Sequence, residues 1–155
     1  MTHTPRVRIE SAEIRALVPE AMAAMSTFNG TAAKSGLPHE LLELVKIRAS
    51  QLNGCAYCLQ MHNNDARKMQ IPQAKLDQLP AWRESPVFDA RERAVLEWTE
   101  AVTLIAQGGV SDEVFATVSA AFSKQELANL TVAVAAINVW NRFAATFQYT
   151  PQKAA

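Results

Sequence analysis

The sequence lacks a surplus of charge of either sign: in 155 residues, fifteen Lys and Arg stand against fifteen Asp and Glu. A chain without a basic excess has no electrostatic footprint for a phosphate backbone or an anionic membrane surface, so nucleic acid is not an expected partner. The first residues, MTHTPRVRIE, hold no apolar stretch of the kind that opens a signal peptide. The longest charge-free apolar run, 127–141, is too short to cross a bilayer and is interrupted by Asn129, Thr131 and Asn138. The expectation is a cytoplasmic protein with no membrane partner. Glycine is scarce, at five residues, and no segment alternates apolar and polar side chains as a half-buried strand does. Low-complexity tracts and blocks of like charge are also missing, which excludes a disordered chain. Two cysteines are too few for a disulfide scaffold, and a cytosolic setting makes any bond between them transient.

What remains is an all-α pattern. Apolar residues make up 49% of the chain, and a chain of this length matches one domain that buries roughly two thirds of its unfolded surface. Residues 1–155 are therefore read as a single domain, with a core of chemistry over about 37–70 and C-terminal helices over about 89–149. A first helix is predicted from Val18 to Lys34, with Ala21, Met22, Met25 and Phe28 as a core-facing stripe. A second starts near Pro38 and runs to Gly54, and a third continues from Cys55 to about Met69. Pro72 opens a short helix before a loop around Pro80 and Pro86. Asp89 with Glu92, and Ser123 with Glu126, have the spacing of capping boxes. These two predict one helix ending near Gly108 and another reaching about Tyr149, with Ser111 capping a shorter one between them. The last helix is apolar on most faces, as a central core helix or a subunit interface is.

The chemistry concentrates at Asn53-Gly-Cys-Ala-Tyr-Cys-Leu-Gln-Met-His62. Three-residue spacing in a helical turn brings Cys55 and Cys58 to one face, where a disulfide closes reversibly. The free amides and positive dipole end of a helix start favour a thiolate, which is the nucleophilic form. His62 stands four residues beyond Cys58, one turn on, where an imidazole exchanges a proton with a thiol. Glu43, Ile47, Ser50 and Gly54 share one face of the preceding helix, so antiparallel packing would bring Glu43 to His62. A carboxylate there sets the imidazole's tautomer, and in an apolar setting its own pKa would rise. Such a set suits reduction of a hydroperoxide, which needs an attacking thiolate, a proton for the departing oxygen, and a second thiol to turn the sulfenic acid into a disulfide.

Glu43, twelve residues before Cys55, followed by Cys-x-x-Cys-x-x-x-His, resembles the active-site signature of the AhpD-like alkylhydroperoxidases of the carboxymuconolactone decarboxylase superfamily. The likeness extends from about Leu37 to the end, through Asp89-x-x-Glu-Arg-Ala, Ser123-Lys-Gln-Glu-Leu and Asn138-Val-Trp-Asn-Arg-Phe. It implies an AhpD-like all-α bundle that forms homo-oligomers, commonly trimers or hexamers. It also implies peroxide reduction with Cys58 as the peroxidatic thiol, Cys55 as the resolving thiol, and His62 with Glu43 as the proton relay. No bound cofactor is implied. The redox centre is the Cys55–Cys58 disulfide, reopened by an external dithiol of the dihydrolipoamide type carried on a lipoyl-bearing acyltransferase. The best-studied members have a second histidine between the cysteines, where this chain has Tyr57, a poor base with an ordinary pKa near 10.

Other readings compete. A disulfide oxidoreductase without peroxide turnover needs the same pair, a decarboxylase-like enzyme on a lactone or small organic acid needs neither thiol, and a structural oligomer would use the thiols only to lock subunits. Zinc takes Cys and His at such spacings, but a closed site needs four ligands and there is no second CxxC or HxxxH, so no metal is expected. His3 and His39 are read as surface residues, and Trp82, Trp98, Trp140 and the methionines as packing groups. Asn138, Asn141 and Arg142 are candidates for an interface or for support of the site.

Overall fold

The computed structural model describes residues 6–151 and Lys153; His3 lies outside them. Among the described residues there are eight α-helices and no strand: α1 (Ser11–Leu17), α2 (Pro19–Ala33), α3 (His39–Leu52), α4 (Ala56–Lys68), α5 (Gln73–Gln78), α6 (Ala90–Thr103), α7 (Asp112–Ala121) and α8 (Lys124–Phe147). The helix starts follow local chemistry. Asp89 and Ser123 each accept from the N3 amide while Glu92 and Glu126 return to the cap backbone, so both capping boxes form. Ser111 caps α7 through Val114 N–H.

α3 is the centre of the bundle. It packs against α4, α6 and α8, and Leu42, Leu44, Val45 and Ile47 on it are almost wholly buried. Burial of each such side chain contributes roughly 1.5–3 kcal/mol, and together they anchor the helix that carries Glu43. α8, at 24 residues, is long and apolar enough to cross a membrane by length and composition, but Leu130, Val134, Ile137 and Ala144 seat it in the bundle against α2, α3 and α6.

Several boundaries differ from the sequence reading. α1 has no counterpart in it, being only seven residues and separated from α2 by Val18 alone. Only part of the α2 stripe is core: Met22 is buried, but Ala21 is exposed and Phe28 is 41% exposed, since α2 packs mainly against α8. α6 ends at Thr103, and a 3-10 turn, Ile105–Gln107, fills the stretch before Gly108. α8 stops at Phe147 because Gln148 takes a left-handed conformation, and the chain then reverses as Tyr149 N–H bonds back to the Ala144 carbonyl. Near that end the N-terminal segment is strapped on, with Arg8 donating from its backbone to Phe147 O and from Nη1 to Thr146 O, both at 2.9 Å.

Candidate active site

Asn53, Gly54 and Cys55 join α3 to α4, and Gly54 supplies the positive φ of 64° that reverses the chain in three residues. The reversal makes α3 and α4 an antiparallel hairpin in which residues equidistant from the turn meet. Cys55 is the N-cap of α4 rather than its first helical residue, and its sulfur accepts the Cys58 N–H at 3.2 Å. An amide aimed at sulfur in this way stabilises an anionic form. The two cysteines are disulfide-bonded, and each is only 1% exposed. Tyr57 and Tyr149 pack over them, their rings edge to face at 5.6 Å.

The hairpin brings Glu43 to His62, Oε2 to Nδ1, at 2.9 Å, with both side chains buried. The other carboxylate oxygen, Oε1, accepts from Lys46 Nζ at 2.6 Å. Burial pushes the Glu43 carboxyl towards its neutral form, but the hydrogen bond and charge of His62, with those of Lys46, outweigh it and hold the pKa below its ordinary value. This corrects the expected upward shift: the apolar setting is there, but two donors face the carboxylate inside it. An ionised Glu43 orients the His62 ring by accepting at Nδ1, so Nε2 is the ring nitrogen left for proton exchange. Glu43, His62 and Asp65 also hold possible ligand atoms within 4.8 Å of one another. Those of Glu43 are already engaged by Lys46 and His62, and Asp65 pairs with Lys68 at 3.0 Å, so the donor set is that of an ion-pair cluster.

Beneath the turn lies a chain of amides. Asn141, 1% exposed, donates to Ser50 Oγ at 3.0 Å and accepts from Asn53 Nδ2 at 2.9 Å, while Asn138 accepts from the same Asn53 amide at 3.0 Å. Asn138 and Asn141 thus support the cysteine turn. Among the described residues, Arg142 returns to the Asn138 carbonyl and side chain of its own helix. Replacing Asn141 by Ala leaves the buried Ser50 hydroxyl short of a partner and Asn53 with half its acceptors. The expected cost is about 2–4 kcal/mol, from ~1–3 kcal/mol per orphaned group plus the space left behind. It should be read as a lower urea midpoint at unchanged slope.

A cavity of about 180 Å³ opens onto Cys58 and His62. Cys58 lines it and Cys55 does not. Its apolar wall includes Met22, Met61, Ile137 and Trp140, and its rim holds Ser11, Arg15 and Asn29. Trp82 and Trp98 are buried packing groups, but Trp140, Met22 and Met61 have the additional role of shaping the cavity. Met61, read from the sequence as a packing group, lines the cavity, and the signal that points to it is its place one turn beyond Cys58. Arg15 and Tyr149 carried no signal, since remote segments deliver them. His39 is exposed, as read.

Residues 19–101, the span that holds Glu43, both cysteines and His62, match the sequence model of the Carboxymuconolactone decarboxylase family. The chain belongs to that family. This carboxymuconolactone decarboxylase family chain is 36% identical over 126 residues to the uncharacterized protein YdfG of Bacillus subtilis (strain 168), covering 81% of this chain and 86% of that one. A solved structure from Agrobacterium tumefaciens, a protein of unknown function provisionally assigned as the antioxidant defence protein AhpD, superposes with a TM-score of 0.90 at 39% identity, over 96% of this chain and 99% of that one. An uncharacterized peroxidase-related protein of Ralstonia eutropha JMP134, described as an alkylhydroperoxidase AhpD core, shares the fold at a TM-score of 0.78 and 20% identity, over 91% of this chain and 75% of that one. This carboxymuconolactone decarboxylase family member therefore has the all-α AhpD-like fold and carries the CxxC pair at disulfide distance.

Proposed function

We propose that the protein is a thiol-dependent peroxidase of antioxidant defence that reduces organic hydroperoxides by closing and reopening the Cys55–Cys58 disulfide. The observation that carries this is the cavity in which Cys58 stands beside a His62 whose Nδ1 is held by an ionised Glu43. In the reduced protein, the Cys58 thiolate attacks the terminal oxygen of the hydroperoxide. An S–O bond forms, the O–O bond breaks, and the departing alkoxide takes a proton relayed by His62, giving an alcohol. The Cys55 thiolate, favoured by the Cys58 amide, then attacks the sulfenic acid sulfur; the S–S bond forms and hydroxide leaves to become water. An external dithiol reopens the pair by two exchange steps and departs as its own disulfide. A lipoyl dithiol on the arm of an acyltransferase is slender enough for sulfurs that are 1% exposed, where a broad protein surface would not reach. The cytoplasm suits such a cycle, because its thiol pools keep the pair turning over rather than locked. Exposed Phe28, with Met25 of α2 and Val139 and Trp140 of α8, forms an apolar groove that supports a homo-oligomer, trimer or hexamer.

Fully reduced protein mixed with one equivalent of cumene hydroperoxide should consume it and lose two hydrogens by mass, with the new bond between Cys55 and Cys58 of one chain. Unconsumed peroxide and an unchanged mass would sink the reading. One observation favours a second reading, disulfide exchange without peroxide turnover: the place between the cysteines is held by Tyr57, whose ring packs on Tyr149 and adds no base. In that case the protein reoxidises with a small disulfide but not with the peroxide.

A further inference from the structure

The cavity over Cys58 is unevenly charged. Among the described residues, the formal cation on its lining is Arg15, and no Asp or Glu lines it. Arg15 sits at the rim on α1 and is exposed, and among the described residues neither it nor the neighbouring Ser11 and Asn29 side chains make a hydrogen bond or ion pair. Three polar groups from two helices thus line the same cavity as Cys58, together with the apolar Met22, Ile137 and Trp140; the charge of Arg15 also reaches the Tyr149 phenol, which packs on the cysteine pair. Polar groups set at one end of an apolar pocket fix a ligand's orientation by matching its own polar end. A planar guanidinium fork is complementary to a carboxylate, which it binds through two parallel N–H donors. One cation without a second basic partner suits a monoanion better than a phosphate, and a cavity of about 180 Å³ is smaller than the ~300–1,000 Å³ of sites for drug-sized ligands.

We infer that Arg15, with Ser11 and Asn29, binds the carboxylate of a small anionic substrate whose apolar body lies along Trp140 and Ile137 towards Cys58. Resting on the peroxidase reading for its chemistry, the inference names the substrate class as carboxylate-bearing hydroperoxides, with the peroxide at the end of the molecule remote from Arg15. Arg15 is then a specificity-determining residue, and α1 a part of the site.

The unreactive acid 4-isopropylbenzoate and its methyl ester separate binding from chemistry. The reduced wild type should bind the acid at least about tenfold more tightly than the ester by titration calorimetry, equivalent to ~1.4 kcal/mol. Raising the salt should shrink that ratio, because the pairing is at an exposed rim. Arg15→Gln should bring the acid down to the affinity of the ester with an unchanged thermal midpoint, and Arg15→Lys should restore part of the difference. Equal affinities in the wild type, or a preference that survives Arg15→Gln, overturns the inference. In single turnovers, 4-carboxycumene hydroperoxide should oxidise Cys58 about tenfold faster than its methyl ester, and Arg15→Gln should bring the ratio of the two rates close to one. If the acid binds through Arg15 but neither hydroperoxide oxidises Cys58, the carboxylate site stands and the peroxidase reading falls. If both oxidise Cys58 at one rate, the peroxidase stands and the carboxylate site falls.

Discussion

A Cys58→Ser chain is expected to reduce cumene hydroperoxide on the order of a thousandfold or more slowly than the wild type, with dihydrolipoamide as reductant. The hydroxyl is close to the thiol in size, so the cavity, the Glu43–His62 pair and the turn above Asn141 stay in place and only the nucleophile is lost. Serine is not ionised near neutral pH, and His62 alone does not supply an oxygen nucleophile able to cleave a peroxide. Cys55→Ser separates the two sulfurs: its remaining Cys58, facing the cavity, should still be oxidised once. The product is then a sulfenic acid with no resolving thiol, which dimedone traps at Cys58 and mass spectrometry locates. Turnover by Cys58→Ser at the wild-type rate would remove the peroxidase assignment. Trapping at Cys55 instead of Cys58 would reverse the roles of the two thiols.

Glu43→Gln should slow the oxidation of Cys58 by about a hundredfold, the scale of a lost general acid–base arrangement. The amide keeps the volume of the carboxyl but not its charge, so it holds neither the Nδ1 proton of His62 nor the ammonium of Lys46 as an anion does. A separate signature lies in stability against pH. The Glu43 carboxyl has a pKa below its ordinary value of 4.5 when folded, so the native state holds the ionised form more tightly than the unfolded chain does. The stability this contributes is complete above about pH 4.5 and is lost as the pH falls through the lower folded value. Wild type and Glu43→Gln, melted from pH 7 down to pH 3, should therefore show a stability difference that moves in favour of the variant on the acid side. A difference independent of pH over that range would mean that Glu43 is not held as a buried anion.

The helices were legible because their signals are local. The capping boxes at Asp89 and Ser123, the proline before α3, and the i, i+3, i+4 spacing of leucines each act within one or two turns, and the structure realises them where they stand. The same is true of Cys55 and Cys58, whose spacing and place at a helix start need nothing from the rest of the chain. The exposure of Phe28 was not legible, since a periodic apolar face reads the same whether a neighbour covers it or not. Nor was α1, because seven residues carry too few turns for a period to show.

By itself, then, the sequence determined an all-α chain, its main helix starts, and a dithiol one turn before a histidine. Tertiary structure alone decided that Glu43 meets His62 as an anion between two donors, that Cys58 and not Cys55 faces a cavity, and that Arg15 from one end of the chain and Tyr149 from the other border it. The physical reason is range. A cap or a helical period is an interaction between near neighbours along the chain, whereas burial, charge pairing and the shape of a cavity depend on side chains that only packing brings together.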